Sequence, residues 1–288
     1  MQSYLDLVSR ILETGERKPN RTGIDTLAVA GAMIEHDMST GFPLLTTKKM
    51  AFKSVRVELE GFIKGITDKS WYQERGCHIW DEWCNPLRVP YAHDEETKQK
   101  MFQERDLGPI YGFQWRHFGA SYHSYDTEYA HRGMDQLAGI VETLKRNPSD
   151  RRMVVSAWNP VSIPSMALPP CHYSFQVTVI NDQLNLLWNQ RSVDTMLGLP
   201  FNIASYGLLL HLLAKESNLK EGKLIGFLGD VHIYDNQIPG AREQLTRKPY
   251  SLPSIATENF TSIFDWEHDQ TKVLNYTSHP KIEFPIAV

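Results

Sequence analysis

The chain has few cysteines, no long apolar run and little net charge, and each shortage excludes a class of protein. Three cysteines among 288 residues, Cys77, Cys84 and Cys171, do not make a disulfide framework, so we expect reduced thiols and a cytoplasmic protein. No apolar run approaches the ~20 residues that span a bilayer, and the N-terminus lacks the unbroken apolar core of a signal peptide. A formal charge of -4 argues against a general nucleic-acid binder.

Repeats, low-complexity tracts and linkers are absent as well, which limits the domain organisation. The length allows one large core, and the 41% hydrophobic and 22% charged residues are ordinary for a globular protein. We therefore predict a single α+β domain over residues 1–288. Helices are predicted over 3–15, 52–64, 134–145 and from Asn202, and strands over 27–37, 153–158 and 224–234. A Gly/Pro turn with a short strand is predicted over 107–115, and a surface excursion over 84–105.

The stretch from Leu168 to Tyr206 gathers the most chemistry in the least sequence. A cysteine precedes an alternating strand, a turn at Asn181-Asp182 leads into a second strand, and a Gly/Pro loop leads into an apolar helix. One thiol, one guanidinium, two amides and a carboxylate thus fall on three adjacent elements. This concentration predicts a functional site.

Cys171 is the candidate nucleophile of this stretch. A free thiol has a pKa of ~8.5, so a reactive one needs a nearby cation or helix terminus, and Arg191 on the pairing strand could supply that field. A small buried core residue is the commoner role of a lone cysteine. His172 is not expected to serve as its base, because adjacent strand residues point to opposite faces.

Arginines beside Gly, Ser or Asp recur in predicted loops. Guanidinium groups and a serine hydroxyl suit a phosphate dianion, although each arginine alone is consistent with surface charge. No Walker-type or dinucleotide-binding glycine motif accompanies them, so a small phosphorylated ligand is favoured. The residues concerned are Arg21, Arg151, Arg152, Arg191 and Ser192.

Other polar residues allow two interpretations each. Asn202 could contact the edge of a base or cap a helix, and Asp194 could bind a ligand or stabilise a turn. Glu58 could transfer protons if buried, but an exposed helical glutamate is common. His232 and Tyr234, two apart on a strand, could hold a ribose or be satisfied core residues.

Two aromatic residues near position 80 also allow two interpretations. Trp80 and Trp83 lie in the segment I-W-D-E-W and could stack on a flat heterocycle or fill a core. We expect no bound metal.

Taken together, the motifs resemble the thymidylate synthase family along nearly the whole chain, and they occur in family order. They are R-T-G, G-F-P-L-L-T-T-K-K, I-W-D-E-W, L-G-P-I-Y-G-F-Q-W-R, D-R-R-M-V-V-S-A-W-N, L-P-P-C-H, Q-R-S-V-D-T-M-L-G-L-P-F-N-I-A-S-Y, G-D-V-H-I-Y and the terminal A-V. The resemblance implies a mixed sheet packed with helices, a homodimer through that sheet, dUMP as substrate and 5,10-methylenetetrahydrofolate as one-carbon donor.

The resemblance also assigns roles to matching positions. Cys171 resembles the nucleophile that adds to C6 of the pyrimidine, Tyr111 the tyrosine that helps remove the C5 proton, and Glu58 the organiser of proton transfers. Asn202 resembles the residue that hydrogen-bonds to O4 and N3 of uracil, where deoxycytidylate-using relatives have Asp. Substrate contacts fall on Arg21, Gln190, Arg191, Ser192, Asp194, Asn202, His232 and Tyr234, with Arg151 and Arg152 from the partner subunit. Folate positions are Ile79, Trp80, Trp83, Asp194, Leu197, Gly198, Phe201, Ala287 and Val288.

Two departures from the synthase pattern suggest a different product. The usual E-L-L-W-F is E-L-E-G-F here, with Glu60 and Gly61, and Asn189 replaces the usual Tyr before Q-R-S. Bacteriophage deoxycytidylate hydroxymethylases share the E-L-E motif and the Asn. We therefore predict a dUMP hydroxymethylase, in which Glu60 or Asn189 orients the water that captures the activated methylene.

Such an enzyme would yield 5-hydroxymethyl-dUMP and tetrahydrofolate and would suit a virus with hydroxymethyluracil DNA. An ordinary thymidylate synthase is the alternative, with both departures neutral. A non-catalytic phosphate- or RNA-binding protein is a third possibility, disfavoured by the intact Cys171, Arg191 and Asn202.

Overall fold

The computed structural model describes residues 1–20 and 22–285 and has the predicted α+β architecture. Its helices are α1 Gln2–Thr14, α2 Phe52–Lys64, α3 Lys69–Glu74, α4 Glu95–Gln103, α5 Tyr111–His117, α6 Gln136–Arg146, α7 Gly198–Ser217 and α8 Ile238–Thr246. Its strands are β1 Glu16–Lys18, β2 Thr26–Asp37, β3 Val154–Ser156, β4 His172–Ile180, β5 Gln183–Asp194, β6 Lys220–Tyr234, β7 Ser254–Thr257 and β8 Thr271–Leu274.

Six strands form one mixed sheet in the order β1-β2-β6-β5-β4-β3, and β7 pairs with β8. Strand β6 runs antiparallel to β2 and parallel to β5, so the prediction of a mixed sheet with helices is confirmed. The chain divides into two compact units. The first unit comprises residues 1–52, 179–258 and 271 onward, and the second unit comprises residues 53–178 and 259–270.

Helix α7 is the core of the first unit. It is apolar on nearly every side, and its Leu208, Leu209 and Leu212 are completely buried. Its Tyr206 ring stacks on Trp188 of β5, with ring centroids 5.4 Å apart. Gly226 of β6 pairs in register with Trp188, and a Cβ at Gly226 would lie 2.4 Å from the indole. The absence of a side chain at Gly226 therefore makes room for the tryptophan.

Helices α2 and α5 form the core of the second unit. Phe62 of α2 contacts Tyr111 and Trp115 of α5, at centroid distances of 4.9 and 5.7 Å. Gly112 allows this close packing, since a Cβ there would lie 2.9 Å from the Phe62 backbone. The two helices thus meet through backbone as well as through rings.

The turn between β4 and β5 agrees with its prediction. Asn181 and Asp182 both have positive φ, 51° and 59°, which Asn and Asp adopt more readily than other non-glycine residues. Two successive residues of this kind match the right-handed twist of flanking strands. The hairpin expected at the centre of the chain is therefore present.

Most predicted elements are confirmed, and two need correction. The predicted helix over 52–64 is α2, and α6 carries the expected apolar face. The short strand predicted after the Gly/Pro turn in 107–115 is wrong: Tyr111–His117 is helix α5, whose first five residues are all buried, so no polar face revealed a helical period. The predicted excursion over 84–105 contains helix α4 and the buried residues Asn85 and Met101.

The prediction for Asn202 also needs correction in one respect. Helix α7 begins at Gly198, so Asn202 lies inside the helix and does not cap it. Across the described residues, no helix combines the length and apolar character needed to cross a membrane.

Candidate active site

The three cysteines of the second unit differ in their exposure. Cys77 and Cys84 are buried, and burial raises the pKa of their thiols to about 12 and about 11. Cys171 is half-buried and lies directly before β4. Its backbone N–H donates to the hydroxyl oxygen of Tyr111 over 2.8 Å. The structure therefore brings together the predicted nucleophile and the predicted tyrosine.

An aromatic stack lies behind this pair. Tyr111 is sandwiched between Phe62 and His172, at centroid distances of 4.9 and 4.3 Å. Burial lowers the pKa of His172 to about 3, so its imidazole is neutral at physiological pH. A nitrogen of such low basicity is a poor proton acceptor, which agrees with the expectation that His172 is not the base for Cys171.

Glu58 of α2 is a buried carboxyl group whose pKa lies near neutrality. Burial raises its pKa to about 7, and the indole N–H of Trp80 offsets part of that rise. The Trp80 nitrogen is buried and makes no hydrogen bond of normal geometry within residues 1–20 and 22–285. A carboxyl group with this pKa can both donate and accept a proton at physiological pH.

The two predicted tryptophans occupy different environments. Trp80 is buried and packs edge-on against Tyr111, at a centroid distance of 6.2 Å. Trp83 is half-buried and stacks on Tyr91 at 6.0 Å, and the neighbouring Ile79 is 38% exposed. Trp80 thus belongs to the core, while Ile79 and Trp83 present apolar surface.

Glu60 is buried but is engaged differently from Glu58. Its Oε1 accepts from Lys64 Nζ over 2.6 Å, and its Oε2 accepts from the backbone N–H of His268 over 2.9 Å and contacts His268 Nδ1 at 2.7 Å. Burial alone would raise the pKa of Glu60, but these partners lower it below its usual value. Glu60 is therefore an anion that ties α2 to residues 259–270.

The space beside Gly61 is also filled. A Cβ at this position would lie 2.3 Å from the Tyr72 hydroxyl oxygen. Tyr72 is completely buried, and its hydroxyl donates to the Ile66 carbonyl oxygen over 3.1 Å. The glycine at the usual tryptophan position is thus compensated by another aromatic ring.

In the first unit, β5 presents alternate residues to opposite faces. Gln190 is buried and donates to Asn202 Oδ1 over 3.1 Å, which joins two of the predicted substrate residues. Arg191 is exposed and Ser192 is half-buried. Asn189 pairs in register with Phe227 of β6, which is 42% exposed, so it shares the sheet face of Phe227 and not that of Gln190.

Asp194 organises the loop before α7. Its Oδ1 accepts from the backbone N–H groups of Met196 and Leu197 over 3.1 and 3.0 Å. Its Oδ2 accepts from Gln237, which also donates to the carbonyl oxygen of Pro285. Asp194 therefore stabilises the turn before α7. The folate candidates that follow it, Leu197, Gly198 and Phe201, are all half-buried.

His232 and Tyr234 point the same way along β6, as their spacing predicts. Their ring centroids are 5.2 Å apart, in an edge-to-face arrangement. Asp230 Oδ1 lies 3.0 Å from His232 Nδ1, and Asp230 also pairs with Lys18. The Asp230 carboxylate thereby orients the His232 ring through Nδ1, and the Nε2 atom lies on the side of the ring away from Asp230.

The remaining predicted residues lie at the surface or beyond the described part of the chain. Arg151 and Arg152 are exposed, and Arg152 forms a two-point ion pair with Asp150. The predicted Arg21, Ala287 and Val288 lie outside the described residues.

Sequence reasoning missed several residues that hold these candidates in place. Trp188 donates to Gln190, and its position two residues earlier on the same strand was an available signal. Lys64, four residues after Glu60 on a helix, was a second available signal. His268 could not have been found, because 208 residues separate it from Glu60.

The raised pKa of Glu58 makes a prediction about stability. Between the ordinary pKa of 4.5 and about 7, the folded protein holds a proton that the unfolded chain releases, so this group lowers stability as pH rises through that window. We expect the free energy of unfolding of Glu58→Gln, relative to that of the parent, to rise by on the order of 3 kcal/mol between pH 4.5 and pH 8. Urea unfolding at both pH values measures this, and equal differences at both would contradict it.

The contacts of Glu60 predict the opposite behaviour. Glu60→Gln should lower the free energy of unfolding by about 2–4 kcal/mol at pH 7, because the half-buried Lys64 and His268 lose their buried carboxylate partner. The cost should shrink as pH falls through the lowered pKa of Glu60, where the parent loses the same charge. The matched control is Glu142→Gln, which breaks an exposed 3.5 Å pair with Arg146 and should cost under ~0.5 kcal/mol. Equal effects of both variants would show that Glu60 is not a buried ionic tie.

Comparison with known proteins identifies the family. The family model described as thymidylate synthase matches residues 2–288. A curated relative, the bifunctional dihydrofolate reductase-thymidylate synthase of Paramecium tetraurelia, is 41% identical over 290 residues, which cover 99% of this chain and 61% of the relative. The chain thus spans less than two thirds of that relative's length. By the match of the family model over residues 2–288, the chain belongs to the thymidylate synthase family.

Proposed function

We propose that this protein is a thymidylate synthase, which converts dUMP to dTMP and forms dihydrofolate from 5,10-methylenetetrahydrofolate. The observation that carries the proposal is the half-buried Cys171, with its backbone N–H on the Tyr111 hydroxyl, in a chain that matches the family over residues 2–288. The family uses methylenetetrahydrofolate as its cosubstrate, and this group supplies both the carbon and the hydride of the new methyl group.

The residues of the second unit suit the chemistry at the pyrimidine ring. The Cys171 sulfur adds to C6, which makes C5 nucleophilic towards the one-carbon unit. Tyr111 assists removal of the C5 proton, and it is held beside Cys171 by their hydrogen bond. Glu58, with a pKa of about 7, organises water and passes protons at O4. Elimination of the Cys171 sulfur from C6 then restores the aromatic pyrimidine ring.

Residues of the first unit suit recognition of the nucleotide. Arg191 and Ser192, with Arg21, hold the phosphate, and His232 and Tyr234 bind the 3′-hydroxyl of the deoxyribose. Asn202 hydrogen-bonds to O4 and N3 of uracil. From the second unit, Arg151 and Arg152, both exposed, reach the phosphate of a partner subunit.

Both units offer surface that suits the flat rings of a folate. In the second unit, Ile79 and the stacked pair of Trp83 and Tyr91 present apolar area. In the first unit, Leu197, Gly198 and Phe201 are half-buried around the start of α7. The terminal Ala287 and Val288 are proposed to close over the bound folate.

The hydroxymethylase prediction finds less support in the contacts of its own residues. Both carboxylate oxygens of Glu60 already have partners, which leaves them poorly placed to activate water. Tyr72 fills the space beside Gly61, where the usual tryptophan would lie. These contacts favour dTMP as the product and make 5-hydroxymethyl-dUMP, with its viral connection, the second candidate.

Identification of both products decides between the two enzymes. We expect purified protein with dUMP and methylenetetrahydrofolate to give dTMP by mass and dihydrofolate by absorbance in equal amounts. Formation of 5-hydroxymethyl-dUMP with tetrahydrofolate would establish the hydroxymethylase instead. Cys171→Ser should lose at least ~1000-fold in rate, and the double variant Glu60→Leu, Asn189→Tyr should leave the product unchanged. An inactive parent that still binds phosphate or RNA would favour a non-catalytic protein.

We also propose that the protein is a homodimer through the outer face of its sheet. Met33 of β2 and Phe227 of β6 pair in register on this face and are 61% and 42% exposed. Adjacent exposed apolar residues on a sheet indicate a covered interface.

The cysteine thiols are also compatible with our prediction of a cytoplasmic location.

The dimer is tested by sedimentation velocity at micromolar concentration. The parent should sediment as a dimer and Phe227→Asp as a monomer, because the charge would be buried in the interface. Leu87→Asp is the control, since Leu87 is 72% exposed outside the sheet and should leave the dimer intact. A monomeric parent would refute the proposal.

A further inference from the structure

Three side chains of the first unit form a chain of hydrogen bonds that ends on Asn202. Trp188 Nε1 donates to Gln190 Oε1 over 3.2 Å, and Gln190 Nε2 donates to Asn202 Oδ1 over 3.1 Å. Gln190 Nε2 also donates to the Ser192 carbonyl oxygen over 3.1 Å. Trp188 and Gln190 are 0% and 3% exposed, so water does not compete for these bonds.

The direction of each bond follows from groups whose polarity cannot reverse. The indole nitrogen of Trp188 can only donate, and the Ser192 carbonyl oxygen can only accept. The Gln190 amide must therefore turn its oxygen to Trp188 and its nitrogen to Ser192. The second hydrogen of that nitrogen reaches Asn202, so the Asn202 atom facing Gln190 must be the oxygen.

The orientation of the Asn202 amide matters because it determines where the donor and the acceptor of that amide lie. One edge holds a donor and an acceptor, and a rotation of 180° exchanges them. Uracil offers an N3–H donor and an O4 acceptor, whereas cytosine offers an N3 acceptor and an amino donor. One orientation of Asn202 therefore matches uracil and the other matches cytosine. An unrestrained asparagine would select weakly between the two bases.

Packing on two sides holds the indole that begins this chain. The Tyr206 ring lies nearly parallel to Trp188, at an interplanar angle of 13° and a centroid distance of 5.4 Å. Gly226 on β6 leaves no space between the strand and the indole, since even a Cβ would lie 2.4 Å away. The Trp188 N–H thus points in one direction only.

We propose that Trp188 is a positioning residue for pyrimidine specificity. Its indole N–H sets the orientation of the Gln190 amide and, through it, that of the Asn202 amide, so that uracil nucleotides are accepted and cytosine nucleotides are rejected. Trp188 needs no contact with the nucleotide. The proposal rests on the proposed function, in which Asn202 contacts the pyrimidine edge.

Trp188→Phe tests this, because it keeps a ring on Tyr206 and removes the N–H. We would measure the dissociation constants of dUMP and dCMP by calorimetry and compare their ratio between variants. A misfolded fraction of the protein affects both measurements equally and so leaves this selectivity ratio unchanged. We expect the ratio to fall about three- to tenfold, up to the equivalent of one hydrogen bond. The loss is partial because the Ser192 carbonyl oxygen still opposes rotation of Gln190.

A double-mutant cycle separates this orientation effect from general loss of packing. Gln190→Met removes the connection to Asn202 and should lower the ratio at least as far as Trp188→Phe. In the Gln190→Met background, Trp188→Phe should change the ratio no further, because the two residues act in series. Trp266→Phe is the control: it removes another completely buried indole and should leave the ratio unchanged.

Each outcome bears on a distinct claim. A parent selective for dUMP whose Trp188→Phe variant keeps the same ratio would overturn the orientation role alone. Additive effects in the double variant would overturn it as well. A parent that binds neither nucleotide would refute the proposed function, and this proposal with it.

Discussion

The burial of helix α7 against β5 and β6 is the constraint on which the first unit depends. A helix covered on nearly every side leaves its polar neighbours without water, and buried polar groups need partners. Gln190 and Asn202 satisfy each other, and the Tyr4 hydroxyl donates to the Thr195 carbonyl oxygen over 3.1 Å. These polar groups are therefore oriented during folding, without the help of a ligand.

Lys48 shows the same constraint near the start of α7. It is buried, donates to the Met196 carbonyl oxygen and lies 4.5 Å from the centre of the Phe284 ring. Burial lowers its pKa to about 8, while Asp194 opposes that shift. The loop that leads into α7 is thus held by charged groups as well as by packing.

In the second unit, one helix gives two carboxyl groups opposite properties. Glu58 and Glu60 are both buried and lie two residues apart on α2. Burial dominates at Glu58 and raises its pKa, whereas Glu60 meets Lys64 and His268, so its pKa falls. Burial alone does not determine the charge of a carboxyl group; the hydrogen-bond donors around it do. The first suits proton transfer and the second suits attachment of a loop.

The amino-acid sequence by itself determined the fold class, most helix and strand positions and the turn at Asn181-Asp182, and it singled out Cys171 as the candidate thiol. These features follow from periodicity, turn chemistry and motifs, which are local. Helix α5 was the exception, because burial of its first five residues removed the polar face that marks a helical period.

Only the tertiary structure decided what Glu60, Gly61 and Asn189 do. Their partners, His268, Tyr72 and Phe227, come from other segments, so no local pattern pointed to them. The same is true of the path from Trp188 to Asn202, where the folded chain joins a strand to a helix that begins several residues later. Local patterns specify which groups are available, but long-range packing determines which of them meet.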